Sequence, residues 1–188
     1  MYLPAVGGNR VFPERRGKVL GVSSAINGRV YVRGDHTDYD LCRQLGNAGW
    51  GFDDVLPYFR KAEDQQRGAD SYHGVGGPLT VSDPTDRHPL CEAFIAAGEQ
   101  CGYSRNADFN GAHLAGFGYL QVTLKRGRRV SAATAYLLPI RRRRNLQVTT
   151  HAHATRILFE GRRATSVEFM RNGKSTTASA SREIILAG

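Results

Sequence analysis

Residues 17–28 read Gly17-Lys18-Val19-Leu20-Gly21-Val22-Ser23-Ser24-Ala25-Ile26-Asn27-Gly28, and this stretch governs the reading of everything around it. Gly21, Ser23, Ser24 and Ala25 place small residues just ahead of an apolar run that ends near Val32. Small side chains let a ligand approach the backbone, and glycine enters positive φ without a steric penalty. A turn of this composition feeding a short buried helix aims its first amides back at the loop, where they favour an anionic or electron-rich group. Loops of glycine and serine are also ordinary turns, so composition by itself leaves both readings open.

On the N-terminal side, residues 1–16 are rich in Gly and Pro without a sustained period, and are expected to be an irregular lead-in with no strand followed by a glycine turn. On the other side, Asp38-Tyr39-Asp40 leads into the turn-dense Leu45-Gly46-Asn47-Ala48-Gly49-Trp50-Gly51-Phe52. Asp53 then suits the cap of a helix that carries Leu56, Phe59 and Ala62 inward, with Pro57 near its start. After a loop over residues 72–78, Leu79-Thr80-Val81 predicts a short strand. Pro89 fits a first helical position, Leu90, Phe94, Ala97 and Cys101 recur at helical intervals, and Gly102 ends the pattern. Residues 117–123 read as a strand, and Ser131 as the cap of a helix through Ala135, Tyr136 and Leu137 that stops before Pro139.

From Asn145 the period changes to two. Residues 146–150, 155–159 and 165–169 read as strands, with turns at Glu160-Gly161-Arg162-Arg163 and Arg171-Asn172-Gly173-Lys174. The Asn172-Gly173 pair favours a two-residue hairpin. Glu183-Ile184-Ile185-Leu186-Ala187 is a continuous apolar run of the kind covered on both faces. The fold class is therefore α+β.

The chain has 188 residues, of which 40% are hydrophobic and 23% charged, enough for one ordinary core. No run approaches the roughly 20 apolar residues of a spanning helix, and no basic, then apolar, leader opens the chain. A cytoplasmic protein, with at most a peripheral membrane association, is the expectation. Cys42, Cys91 and Cys101 lack Cys-x-x-Cys spacing and read as reduced, partly buried thiols. The net charge of +9 owes much to Arg126, Arg128, Arg129 and the run Arg141-Arg142-Arg143-Arg144. Neither cluster is interleaved with base-stacking aromatics, so nucleic acid is not expected as a partner. A solvated basic face is the expectation.

His36, His73, His88 and His113 fall in loops or caps and read as exposed or capping residues. His151 and His153 share a strand face, but two imidazoles without a third spaced ligand do not define a metal site.

Several ordered segments resemble the glucose-methanol-choline (GMC) family of FAD-dependent oxidoreductases, and choline dehydrogenase-like members of it in particular. They are Arg16-Gly17-Lys18-Val19-Leu20-Gly21, Ser23-Ser24-Ala25-Ile26-Asn27-Gly28, Tyr31-Val32-Arg33-Gly34, Gly49-Trp50-Gly51-Phe52-Asp53-Asp54-Val55-Leu56-Pro57-Tyr58-Phe59, Lys61-Ala62-Glu63, Gly116-Phe117-Gly118-Tyr119, Ser131-Ala132-Ala133 and Thr155-Arg156-Ile157-Leu158-Phe159. The resemblance spans residues 16–188. It implies a partial FAD-binding domain, with flavin-contacting loop, helix and β-meander, joined to part of an antiparallel-sheet substrate domain. On this reading residues 1–70 carry the FAD-contacting loop and helices, 71–144 part of the substrate domain, and 145–188 a β-rich return to the FAD domain, in one incomplete unit.

The activity implied is oxidation of an alcohol to a carbonyl, with hydride passing to the flavin and electrons then to oxygen or a quinone-linked carrier. Carried over by position, Gly21, Ser23 and Ser24 line the loop beside FAD, Asn27, Gly28, Arg29 and Val30 lie against the flavin, and Ala154 meets the adenine through its backbone. Val22 departs from the pattern, since the family has glycine there, and a β-branched residue gives up positive-φ freedom. Cys42 stands near a usual Trp, and Arg141 to Arg144 replace a less basic loop. No Gly-x-Gly-x-x-Gly occurs, and nothing matches the family's catalytic histidine, so no catalytic or metal-binding residue is assigned. The chain is expected to be inactive alone. The alternative from another class is a non-catalytic remnant, or a basic module contacting nucleic acid or an anionic surface.

Overall fold

The computed structural model describes residues 16–187 and, before them, the backbone of two short strands, Leu3–Pro4 (β1) and Val11–Phe12 (β2), paired antiparallel. The expected lead-in therefore contains a strand pair; its other residues lie outside those described. The chain forms two units, Met1–Arg141 and Arg142–Gly188. The α+β expectation is borne out.

In the first unit Asp35 starts α1 (His36–Gln44): its carboxylate accepts the Thr37 N–H at 2.9 Å, while Asp38 reaches back to the Asp35 N–H. This helix was not legible in the sequence. Helix α2 (Phe52–Ala62) is capped by Gly51, whose N–H donates to the Asp54 carboxylate at 3.0 Å, and not by Asp53. Pro57 sits in its interior rather than at its start, and so removes one backbone donor from the ladder. The chain then passes into β3 (Glu63–Gln65), which pairs parallel with β4 (Leu79–Val81). That pairing requires Gly74 and Gly77. A Cβ would lie 1.9 Å from the Arg60 carbonyl oxygen at Gly74 and 2.5 Å from Ala62 C and Glu63 O at Gly77.

Helix α3 (Pro89–Gln100) begins at Pro89 as expected, with His88 Nδ1 accepting the Leu90 N–H, and ends before Gly102 at φ 87°. Its buried residues are Ile95 and Gly98, and the Phe117 ring lies over Gly98. The other stripe, with Leu90 72% and Phe94 67% exposed, faces outward. Residues 117–123 form isolated bridges in place of the expected strand: Val122 pairs with both Val30 and Ser82, and Phe117 with Arg105. A tight hairpin follows, β5 (Leu124–Lys125) and β6 (Arg128–Arg129). Ser131 and Thr134 exchange hydrogen bonds at the start of a π-type turn, Ala133–Leu137. The helix continues through Pro139 as α4 (Leu138–Ile140) instead of stopping before it. Pro139 lies in the first turn of that segment, where a missing N–H costs little.

The second unit is an antiparallel meander, β7 (His153–Glu160), β8 (Arg163–Arg171) and β9 (Lys174–Ser179). Asn172 and Gly173 take φ of 51° and 74°, the pair of left-handed residues that a two-residue hairpin demands. Residues 146–150 and 183–187 are irregular where strands were expected, because no described strand offers its ladder to either.

The first unit's centre is as polar as it is apolar. Val81, Ile95, Phe52, Ala133 and Ala135 are buried, and so are Arg33, Glu63, Gln65, His73, Asn110 and Gln121. Cys42, Cys91 and Cys101 are free but exposed, not partly buried as expected. Among the described residues no helix is long and apolar enough to cross a membrane.

Candidate functional site

Residues 21–30 form one continuous surface loop. Gly21 takes φ 87°, and a Cβ there would lie 3.1 Å from the Ala133 backbone nitrogen. The loop thus needs glycine for both its dihedral and its fit against the Ala133 turn. Val22 follows at φ 47°, in the left-handed region where a β-branched residue is a true outlier. The chain closes into a four-residue 3₁₀ turn, Val22–Ala25, rather than a buried helix. Its backbone bonds run from Ser24 N to Gly21 O at 3.1 Å and from Asn27 N to Ser23 O at 2.9 Å.

Polar side chains are spent on shaping this loop. Ser24 Oγ donates to the Gly21 carbonyl and accepts from the Ala132 N–H at 2.9 Å, tying the loop to the segment before the π-type turn. Ser23 Oγ accepts weakly from the Gly17 N–H at 3.4 Å. Asn27 Oδ1 accepts from the Arg29 N–H at 3.0 Å and from Arg129 Nη1 at 2.7 Å, and the same Nη1 reaches the Ser24 carbonyl at 3.2 Å. Arg29 sits at φ 68° and its carbonyl accepts from Thr123 N at 2.8 Å, while Val30 bridges Val122. Gly28 has open space around its Cα, with nothing within 4 Å of an added Cβ.

The apolar side chains are left outside. Val19, Leu20, Val22, Ile26 and Val30 are each half or more exposed. Gly21, Ser23, Ser24, Asn27, Gly28, Arg29 and Val30 are therefore together, whereas Ala154 belongs to the other unit, on β7 opposite Phe169.

Behind the loop lies a network that sequence reasoning missed. Arg33 Nη2 donates to Glu63 Oε2 at 2.6 Å, Nη1 to the Tyr72 carbonyl at 2.6 Å, and the Arg33 N–H to Asn110 Oδ1 at 2.8 Å. Tyr39 donates its hydroxyl to the Arg33 carbonyl. His73, expected to be exposed, is 3% exposed: Nδ1 meets Glu63 Oε2 at 3.0 Å and Nε2 meets Asp108 Oδ2 at 2.8 Å. Hydrogen bonds to Asp108 and then Glu63 outweigh burial and raise the His73 pKa to about 9, so the ring is an imidazolium at neutral pH. Burial by itself would raise Asp108, but the His73 and Asn110 donors hold it below the ordinary carboxylate range. Gln65 and Gln121 exchange amide hydrogen bonds at 3.1 Å beside this group. Tyr31, Arg33 and Glu63 stand in segments that the sequence marks by resemblance; their roles depend on contacts 30 or more residues apart.

Two other histidines make structural contacts. His36 stacks on Phe52 with ring centroids 3.4 Å apart and bonds the Gly111 carbonyl through Nε2, and His88 caps α3.

A model of the GMC oxidoreductase family matches residues 3–188, and the chain belongs to that family. Choline dehydrogenase, mitochondrial, of Homo sapiens is 46% identical over 95% of this chain, which covers 30% of that protein. Oxygen-dependent choline dehydrogenase of Sinorhizobium fredii is 45% identical over 95% of this chain, which covers 32% of it. Pyridoxine 4-oxidase from Mesorbium loti superposes with a TM-score of 0.85 at 34% identity, over 91% of this chain and 34% of its own. An FAD-dependent oxidoreductase from Chaetomium thermophilum gives 0.85 at 27% identity, over 93% and 33%. The chain thus spans about a third of the length of these relatives. The family read from the sequence is borne out, together with its flavoprotein oxidoreductase class and FAD as its cofactor.

Proposed function

We propose that residues 21–30 line the flavin of an FAD-dependent alcohol oxidoreductase, of which this chain supplies the cofactor loop and its supporting frame. The observation that carries this reading is the loop itself. Its serine and asparagine side chains are held from behind by Ala132 and Arg129, and its rim of Val22, Ile26 and Val30 stands open. A planar, largely apolar ring seats on such a rim, while open space at Gly28 admits it to the backbone. Gly21, Ser23 and Ser24 set the turn, Asn27 fixes its exit, and Gly28, Arg29 and Val30 form the contact edge. Ala154 is assigned to the adenine through its backbone groups.

When bound, FAD accepts a hydride from the carbon of a CH–OH group. The hydroxyl proton requires a base, and no histidine of this chain is assigned that part. The substrate class is a small alcohol, as in the choline-oxidising relatives, and the acceptor is oxygen or a quinone-linked carrier. A cytoplasmic location, at most peripheral to a membrane, belongs to the same reading. The frame from Arg33 to Asp108 positions the loop and takes no part in proton transfer.

Titration of the purified chain with FAD, followed by quenching of flavin fluorescence, tests the reading. Saturable quenching that Asn27→Ala and Gly28→Val weaken supports it; no quenching, or quenching indifferent to both changes, refutes it. With FAD bound, alcohol is expected to leave the flavin oxidised unless the rest of the catalytic site is supplied.

A further inference from the structure

The β5–β6 hairpin turns through Arg126 and Gly127 at φ of 50° and 72°, which crowds Lys125, Arg126, Arg128 and Arg129 into five residues. One side of this hairpin walls an open cavity of about 970 Å³, bounded across from it by Gly77 and Thr134. No carboxylate lines this cavity among the described residues. The contrast lies across the same hairpin, where a cavity of about 350 Å³ sets Asp64 and Asp83 against Lys125 and Arg126.

The four cations are not equivalent. Arg129 is committed to Ser24 and Asn27, and Lys125 Nζ stands 3.8 Å from Asp64 Oδ2. The side chains of Arg126 and Arg128 have no hydrogen-bond or ion-pair partner among the described residues. Uncompensated charge on a concave wall focuses the field and draws counter-ions into the cavity. A guanidinium presents a rigid fork of donors that matches phosphate oxygens two at a time. The cavity is also of the size that takes small molecules, up to about 1,000 Å³. A neutral or cationic alcohol gains nothing from these groups.

We infer that this cavity binds a small, multiply charged anion of the phosphate class, with Arg126 and Arg128 making the contacts and Lys125 and Arg129 adding to the field. The cavity adjoins the loop proposed to line the flavin through Arg129, but the contacts assigned to Arg126 and Arg128 do not rest on that reading. Phosphoryl groups reach a protein either as soluble anions or on lipid headgroups, and the inference commits to the soluble source.

The test is calorimetric titration of the whole chain with inorganic pyrophosphate at low salt, beside two double variants. Arg126→Asn with Arg128→Ser removes the forks, asparagine being chosen because it tolerates positive φ. Arg143→Ser with Arg144→Ser removes the same charge from the exposed arginine run. Circular dichroism establishes that both remain folded. The expected result is saturable binding that the first pair weakens by about tenfold or more, the loss of one or two charge-assisted hydrogen bonds, and that the second pair leaves unchanged. Absence of binding to the unaltered chain overturns the inference. So does equal weakening by both pairs, which would reduce it to net charge, or binding to phosphatidylglycerol vesicles without binding to pyrophosphate.

Discussion

Protonation of His73 makes the first unit's stability depend on alkaline pH. In the folded chain the ring lies between Glu63 and Asp108 with a pKa of about 9, against 6.5 for a free imidazole. At about 1.4 kcal/mol per pH unit, that gap corresponds to about 3 kcal/mol of stability. Because the folded value is the higher one, the contribution is fully present below pH 6.5 and is lost as pH rises through about 9. The ring is 3% exposed, so little of this is screened by solvent. Urea denaturation of the chain and of His73→Gln, followed by circular dichroism from about pH 6 to about pH 10, measures it. The stability difference between the two chains is expected to be about 3 kcal/mol larger at the acid end than at the alkaline end, and to shrink through the upper part of the range. Subtracting one curve from the other cancels groups that titrate alike in both. Parallel curves over the whole range would refute the assignment of His73 as a buried imidazolium.

Three other outcomes are expected. Val22→Gly relieves a left-handed β-branched residue, worth about 1–2 kcal/mol, against a glycine entropy cost of about 0.5–1 kcal/mol; thermal melts should rise slightly and FAD affinity should increase. Gly74→Ala drives a methyl to 1.9 Å from the Arg60 carbonyl and should cost more than about 2 kcal/mol, read as a lowered urea midpoint. Ser24→Ala removes the bonds to Gly21 O and Ala132 N and should weaken FAD quenching while costing about 1–2 kcal/mol in stability.

What the sequence made legible was local. Pro89 and Gly102 bracket α3, and Asn172-Gly173 dictates its turn, because each acts through its own backbone dihedrals. The sequence left the buried face of α3 open because both its stripes are apolar: Ile95 and Gly98 are buried, with the Phe117 ring over Gly98, while Phe94 meets the same ring and stays exposed. His73 does lie in a loop, but it read as exposed or capping because its partners lie 10 and 35 positions away. Residues 146–150 and 184–186 have strand composition, but a strand exists only where another lends it a ladder. The stretch of residues 21–30 stood out through its family resemblance, down to the unusual Val22, whereas its anchors on Arg129 and Ala132 were not legible.

Those anchors also set an order of events. Ser24 and Ala132 are 108 residues apart, and Ser24 and Arg129 are 105 apart. During synthesis, residues 21–30 leave the ribosome long before the groups that hold them exist, and they wait as unclosed chain until the hairpin and the turn at Ala133 arrive. Closing so long a span is entropically costly and slow compared with forming α1 or α2. The loop proposed to line the flavin is therefore among the last parts of the first unit to form, and a ribosome paused before residue 129 holds a chain that cannot yet shape it.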